Sequence, residues 1–522
     1  MSRSSGCISA APEPEPKGTP APAKTAAGAH PHHTEERNMR SDYHAQLTPA
    51  IRVLSQAQIE ELHFATLEVL RRTGVRVMVE EARDLLRKAG CWVDGDRVRF
   101  PAGLVEWAIR TAPSRVVLCD REGRPAMFLE DGRTYFGTGS DTPFVIDIRT
   151  GERRPSRLQD VVEMTRLVDG LPNLDFVMCM GIAQDVDQAV SDLYHFRAMV
   201  ENTTKPICYT AWNLRNLKAI IEMCEAVAGG EEAFQHSPFA ILYAEPISPL
   251  QHIVEGTEKL LYTCRKRLPI VYTPGMMFGA AAPMTSAGGL VVANAELLSG
   301  LVMAQLACEG VGFVYGGGVT IMDMRTMSVT YASPEFLLNM VALTEMAHYY
   351  HLPVFSFGAC SDSKCFDQQA GLEGGMWTLL AALAGGNLCH DVGYIDSGLT
   401  ASMEMVVLGD EAAGMVRRFM QGITINAETL ALDVIDAVGP GGSFLGTEHT
   451  VRHVRENWFP TLLERGSYEN WVQAGKRTLG DKARQRALQI LETHQPKPLE
   501  PAVKQKLDAI IARVEAEAAG GH

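Results

Sequence analysis

Between Thr134 and Gly422 the chain repeats one arrangement eight times: a short, almost unbroken apolar run, a loop, then a stretch with apolar residues at helical spacing. The runs are TYFGTG (134–139), LDFVMCMG (174–181), PICYTAW (206–212), PFAILYAE (238–245), PIVYTPG (269–275), VGFVYGGG (311–318), PVFSFGA (353–359) and NLCHDVGY (387–394). Helical patterns follow near Ser156, Val190, Leu214, Val254, Val291, Pro334, Gly371 and Met403. Continuous apolar strands belong to a sheet covered on both faces, and a helix between successive strands makes their pairing parallel. Eight units in about 290 residues predict an α/β protein of the closed (β/α)8, or TIM-barrel, type. An open dinucleotide-binding sheet needs a GxGxxG opening a helix, and YGGGVT at Gly316–Gly318 lacks its spacing and third glycine.

The flanks differ in kind. Residues 1–41, rich in Pro, Ala and charge, cannot bury enough apolar surface to offset their ordering and read as a disordered tail. His30, His32 and His33 in it are candidates only for adventitious metal. Residues 42–131 hold three helical patterns, the first opened by Ser55 and stopped by Gly74, and a strand at SRVVLCD. They are expected to form an N-terminal accessory α/β layer on the barrel of residues 132–422. Residues 423–522 are expected to form a C-terminal helical cap.

Composition narrows the function. A net charge of −14 supplies no basic face to replace counterions on phosphate, so nucleic acid is not an expected partner. The 11 cysteines contain no CxxC pair and sit among apolar neighbours, as suits core residues in a reducing cytoplasm. No long uninterrupted apolar run and no basic-then-apolar start points to a membrane or a secretory route.

In a parallel barrel the chemistry gathers at the C-terminal strand ends, where a rigid strand aims each side chain. The stretch Pro353–Tyr394 carries the densest set, and tyrosine recurs at the other strand ends. Glu245, Asp391 and His390 are the candidate catalytic groups, able to offset a cation or to move a proton. The candidate substrate-binding groups are Tyr135, Tyr209, Trp212, Tyr243, Tyr272, Tyr315, Phe357, Lys364 and Tyr394. Aromatic faces around one mouth would attract a cation, quaternary ammonium above all; tyrosines that merely fill the barrel and bond at its rim are the plainer alternative. For Glu245 and Asp391 the plainer alternative is a partnership with loop amides, and for His390 a buried, hydrogen-bonded structural ring. Lys364 or His390 is the candidate for an anionic end. Cys360, Cys365, Cys389 and His390 lack a tight metal spacing, so no metal site is expected. No phosphate loop, nucleophile elbow or HExxH is present.

Longer motifs add a resemblance. ICYTAW, ILYAEPISPL, YTPGMMFGAAAPMTSAGGLVVANAELLSGLV, VYGGG and FGACSDSKCFDQQAGLE, with GPGGSFLGTEHTVRHVRENWFP and RGSYENW near the end, resemble the trimethylamine methyltransferase family from about Leu54 to Ala516. The resemblance implies a TIM-barrel enzyme moving a methyl group from a methylated amine to the cobalt of a separate corrinoid protein. Members acting on trimethylamine carry pyrrolysine, whereas this chain holds only standard residues. That departure points to the branch acting on quaternary amines, with glycine betaine the leading substrate. Other betaines such as carnitine or proline betaine, and sulfonium analogues, stay open. So do a non-catalytic methylamine-binding protein and a generic barrel lyase. No tightly bound cofactor is expected, since the methyl acceptor belongs to the corrinoid partner. A cytoplasmic homo-oligomer is expected.

Overall fold

Seven parallel strands form the central sheet of the computed structural model, which describes residues 48–520; the tail and its three histidines lie outside the described residues. The strands are β1 (Tyr135–Thr138), β2 (Ile207–Tyr209), β3 (Ala240–Ala244), β4 (Ile270–Tyr272), β5 (Phe313–Gly316), β6 (Val354–Phe357) and β7 (Leu388–Val392). Their order is β1-β7-β6-β5-β4-β3-β2. Between the two edges runs Leu174–Met178, which touches each by one parallel bridge, Gly137 with Phe176 and Val177 with Ile207.

That segment was expected to be a full strand, and its shortness has a local cause. Side chains take over the ladder: Asp175 Oδ2 accepts the Phe136 N–H at 2.8 Å, and Thr138 Oγ1 accepts the Met178 N–H at 2.9 Å. Backbone groups satisfied this way need no longer ladder.

Each strand unit is followed by its helix: α1 (Leu158–Asp169), α2 (Ser191–Asn202), α3 (Leu214–Ala228), α4 (Val254–Arg265), α5 (Ser286–Ala307), α6 (Pro334–Tyr349), α7 (Gln368–Ala384) and α8 (Met403–Met420). Four start on a side-chain cap, Asn213, Ser333, Asp367 and Ser402, that accepts an otherwise unpaired amide. α3 and α7 stop at Gly229 and Gly385, both left-handed. The glycines of YGGG serve close approach: a Cβ on Gly316, at φ +128°, would collide with the Phe355 carbonyl of β6.

The N-terminal helices Gln56–Arg72 and Ala102–Thr111 lie on α5. Covered there and against the sheet, α5 is apolar on every side; it alone among the described helices has the length and composition to cross a membrane, and 78% of its apolar window is buried in the fold. A hairpin of Val116–Cys119 and Pro125–Leu129 packs on the sheet where the strands begin. Its Val116, Leu118, Met127 and Leu129 form one core with Phe176, Cys208, Ile241, Val271, Val314, Phe355 and Leu388 from inside the strand ring. The ten described cysteines are all free, eight of them buried.

Of the C-terminal residues, the helix Leu479–Thr493 packs on α8 and α1, and Pro501–Gly520 on α3 and α2. The latter is pinned by Tyr194 to Glu515 at 2.6 Å and Arg197 to Asp508 at 2.5 Å. The four short helices between Ala427 and Gln473 bury no residue. Contacts join the chain from Leu47 onward into one unit.

Candidate active site

Register decides which strand residues share the interior. Tyr209 pairs with Leu242, Tyr243 with Val271, Val271 with Val314, and Phe357 with His390. Paired residues point the same way and successive ones alternate. Tyr243 therefore faces inward with the interior Val271 and Val314, while Tyr209, beside Leu242, faces the helices.

This parity separates the expected ring of aromatics. Tyr209 meets Phe196 of α2 with ring centres 5.4 Å apart. Tyr272 bonds His252 Nδ1 at 2.9 Å, and Tyr315 donates to Asn294 Oδ1 of α5 at 2.9 Å. All three are buried between sheet and helices, where a ligand in the barrel cannot reach them. Tyr135 stands at the start of β1, where its hydroxyl accepts the Phe128 N–H of the hairpin at 3.1 Å. Trp212 is 41% exposed and donates to Ser191 Oγ at 2.9 Å. Lys364 is on the surface, 3.0 Å from Asp396 Oδ1. These six do not converge on one mouth.

The remaining candidates do converge. Tyr243 stacks on Phe355 with centres 5.2 Å apart, and its hydroxyl donates to Glu245. His390 lies edge-on to Phe355 (3.9 Å), Phe357 (4.5 Å) and Tyr243 (6.3 Å). Its Nδ1 is 3.0 Å from Asp391 Oδ1 but is left without a properly aligned hydrogen bond. Asp391 takes a left-handed backbone, φ +69°, which turns its side chain across the strand end. A Cβ on Gly139 would collide with both Asp391 and Tyr394, so the glycine makes room for them. Tyr394 donates to the Ser140 carbonyl.

Three further groups complete the set, of which strand-end reasoning reaches only Asp141. Asp141, at φ +61°, sits beyond β1 and accepts from Thr210 Oγ1 at 3.3 Å. Lys259, from the second turn of α4, donates to the Ala211 carbonyl at 2.6 Å. Tyr331, from the loop before α6, lies 6.1 Å from Tyr394 and 6.3 Å from Phe357. It is fixed by Asp362, whose oxygens accept the Tyr331 and Ala332 amides at 2.7 and 3.0 Å. No strand pattern flags Tyr331 or Lys259, whereas Asp141 stands with Gly139 and Ser140 among the strand-end groups the sequence presents.

The electrostatics follow from crowding. Glu245 is pushed up to about 7 by burial, then by repulsion from Asp141 and Asp391, against the pull of Lys259. Asp141 is pushed up to about 6 by burial, despite hydrogen bonds from Ser140 and Thr210. Burial lowers Lys259, and Glu245, Asp192 and Asp141 partly restore it. Glu245, Asp141 and Tyr331 are surrounded by protein yet keep some open surface at this end of the strands, as does Tyr243. Carboxylates and aromatic faces gather here, the chemistry that holds a bulky cation.

Its pH dependence has a definite sign. Carboxyls raised in the fold stabilise the protein in their protonated form, and that stability is lost as pH rises from the unfolded value near 4 through about 6 and 7. A bound cation reverses the preference. Tetramethylammonium is expected to bind more tightly as pH rises from about 5 to about 8, by up to tenfold per unit for each group ionising. Calorimetric titration across that range checks this; a flat profile would remove these carboxylates from the cation's surroundings.

Among the described residues one trio could hold a metal, Glu428, His449 and His453 on the exposed C-terminal stretch. Glu428 already pairs with Arg452 at 3.2 Å and His453 at 3.3 Å, an ion-pair cluster. Cys360 and Cys389 are buried and Cys365 exposed, and they form no such group.

Comparison with known proteins adds an independent line. The chain matches the family described as "Trimethylamine methyltransferase (MTTB)" over residues 23–519. The trimethylamine methyltransferase MttB of Desulfitobacterium hafniense (strain DSM 10664 / DCB-2) is 33% identical over 465 residues, covering 89% of this chain and 94% of that protein. The glycine betaine methyltransferase of Desulfitobacterium hafniense (strain Y51) is 30% identical over 471 residues, covering 90% and 98%. Among solved structures, the Methanosarcina barkeri monomethylamine methyltransferase (MtmB) aligns with a TM-score of 0.47 at 13% identity, covering 83% and 92%.

Proposed function

Because the chain belongs to the trimethylamine methyltransferase family and is a methyltransferase, we propose that it takes a methyl group from a quaternary amine, glycine betaine first, and delivers it to the Co(I) of a corrinoid on a separate protein. The observation that carries this reading is the cluster of Asp141, Glu245 and Asp391 beside Tyr243, Phe357, Tyr331 and Tyr394 at the strand ends, which we read as lining a chamber. It suits a cation that offers no hydrogen-bond donor. We read the two bridges through Phe176 and Val177, with the interior core shared by every strand, as closing a (β/α)8 barrel around that chamber.

A quaternary nitrogen needs neither proton nor covalent adduct to leave. The methyl carbon accepts an electron pair from the acceptor cobalt, and the C–N pair departs with the nitrogen as a neutral tertiary amine. What the chain must do is orient one N-methyl toward the open mouth and hold the charge while it disappears. Tyr243, oriented by Glu245, offers a π face; Asp391 and Asp141 hold the charge. His390 and Lys259 are the cationic or donor groups within reach of the substrate's carboxylate. A barrel without a resident cofactor, working in a reducing cytoplasm, completes the proposal; the free, buried cysteines support that compartment.

The test is single-turnover methylation of a reduced corrinoid protein across glycine betaine, carnitine, proline betaine, a sulfonium analogue and trimethylamine. Loss of the Co(I) absorbance is expected with the quaternary amines and not with trimethylamine. Turnover of trimethylamine alone, or binding of betaines with no methyl transfer, would overturn it.

A further inference from the structure

We infer that Glu296, in the middle of α5, is a positioning residue for Glu245: it makes no bond to Glu245, but it holds the loop that continues from it. Glu245 serves as a cation's counter-charge only on the reading proposed above, on which this inference rests. Glu245 follows directly on β3, and residues 246–253 lead from it to α4. Ile247 and Pro249 on that loop are exposed, so the loop is held from beneath. The Glu296 carboxyl does this, bonded to the Ser248 hydroxyl at 2.8 Å and accepting the Leu250 N–H at 2.6 Å.

The grip fixes a backbone that would otherwise relax. Leu250 stands at φ +57°, in the left-handed region, where a bulky side chain is disfavoured and stays only if its neighbours impose it. One turn further along α5, Ser299 Oγ lies 2.8 Å from His252 Nε2, at the end of the same loop. Glu296 and Ser299, three residues apart on one helix face, thus hold both the crest and the end of the loop. The contact with Glu245 is equally close. A Cβ on Gly256, in the first turn of α4, would lie 2.4 Å from the Glu245 carbonyl oxygen, and one on Gly275, just past β4, 3.5 Å from Glu245 Oε1. A loop that shifts therefore shifts Glu245 with it, relative to Asp141 and Asp391 on other strands.

The fold alone does not ask for a carboxyl here. Glu296 is fully buried beside Ala295, Leu297 and Leu298 of an apolar helix, where an ionisable group costs more than an apolar one. What it supplies is two polar partners at one point. Burial pushes Glu296 up to about 7. Ionised, it accepts from both the amide and the hydroxyl; protonated, it accepts the amide and donates to the hydroxyl. The loop keeps its place in either state, as an apolar contact could not ensure.

The test follows the Glu245 carboxyl itself, by infrared titration of the full chain without ligand, its band identified by subtracting Glu245→Gln in each background. Tetramethylammonium affinity is measured beside it by calorimetry. Burial is the main cause that raises Glu245, so Glu296→Ala, which frees the loop, is expected to lower the pH at which Glu245 ionises by about one unit or more and to weaken tetramethylammonium about tenfold or more. Glu296→Gln removes the charge but keeps both bonds, and is expected to restore both readouts. Asn294→Ala, on the same helix but bonded to Thr66, Tyr315 and Tyr350, is expected to lower the melting temperature and move neither. A Glu245 ionisation unmoved in Glu296→Ala, or a Glu296→Gln that fails as Ala does, overturns the inference. A wild type that binds no tetramethylammonium sinks the functional reading instead, and the ligand-free titration still decides this one. Should Glu296→Ala not fold, Ser248→Ala, which removes one of the two bonds from the loop side, is read in its place: a Glu245 ionisation that falls sustains the inference, and one that stays overturns it.

Discussion

The double variant Glu245→Gln, Asp391→Asn is expected to bind tetramethylammonium at least ~100-fold more weakly than the wild type, about 3 kcal/mol. Both side chains stay in place and nearly isosteric, so the loss is electrostatic. A quaternary ammonium cannot recover its hydration inside the chamber, and without a counter-charge it keeps its desolvation cost. Asp141 alone, pushed up to about 6 by burial, leaves one carboxylate where three served. Tyr272→Phe supplies the contrast. Its hydroxyl bonds His252 outside the strand ring, so its removal costs about 1 kcal/mol of stability and leaves affinity unchanged. Titration calorimetry measures both; a loss under about threefold in the double variant would mean that the carboxylates serve the fold rather than a cation.

The second large effect is selective. His390→Ala is expected to lower turnover of glycine betaine by about 100-fold or more while changing tetramethylammonium affinity by no more than about threefold. Betaine carries an anion a few ångströms from its cation, and in a chamber already rich in carboxylates that anion needs a donor. The His390 Nδ1 is buried without an aligned partner, the state of a group waiting for one. Because the ring also packs on Phe355 and Phe357, His390→Gln, which keeps a donor, is measured beside it. Equal loss for both ligands would assign His390 to the scaffold and move the carboxylate's partner to Lys259.

The alternation of strands and helices was readable because it depends on local composition, and it located β1 to β7 to within a few residues. Which tyrosines look inward was not. PICYTAW and PFAILYAE each place a tyrosine near a strand end, but pairing Tyr209 with Leu242 leaves Tyr243 on the opposite face. A one-residue offset in register, set by neighbours far away in sequence, reverses the direction of every side chain. Glu245, His390, Asp391, Phe357 and Tyr394 all stand at or just beyond the C-terminal ends of β3, β6 and β7. Tyr331 and Lys259 come from a loop and a helix, and only the closed fold brings them to the strand ends. Lys364 shows the converse: it lies in the loop after β6, yet at the surface, paired with Asp396.

The hairpin where the strands begin bears on the order of events. Its four apolar side chains pack against the strand residues there, so in the barrel proposed above traffic passes through the opposite mouth alone. Under the proposed chemistry that same mouth receives the corrinoid domain, and one opening cannot admit the amine while the acceptor covers it. The donor must therefore bind first and the demethylated amine leave last. Saturating acceptor then inhibits instead of accelerating, and each methyl group is committed once the second protein has landed.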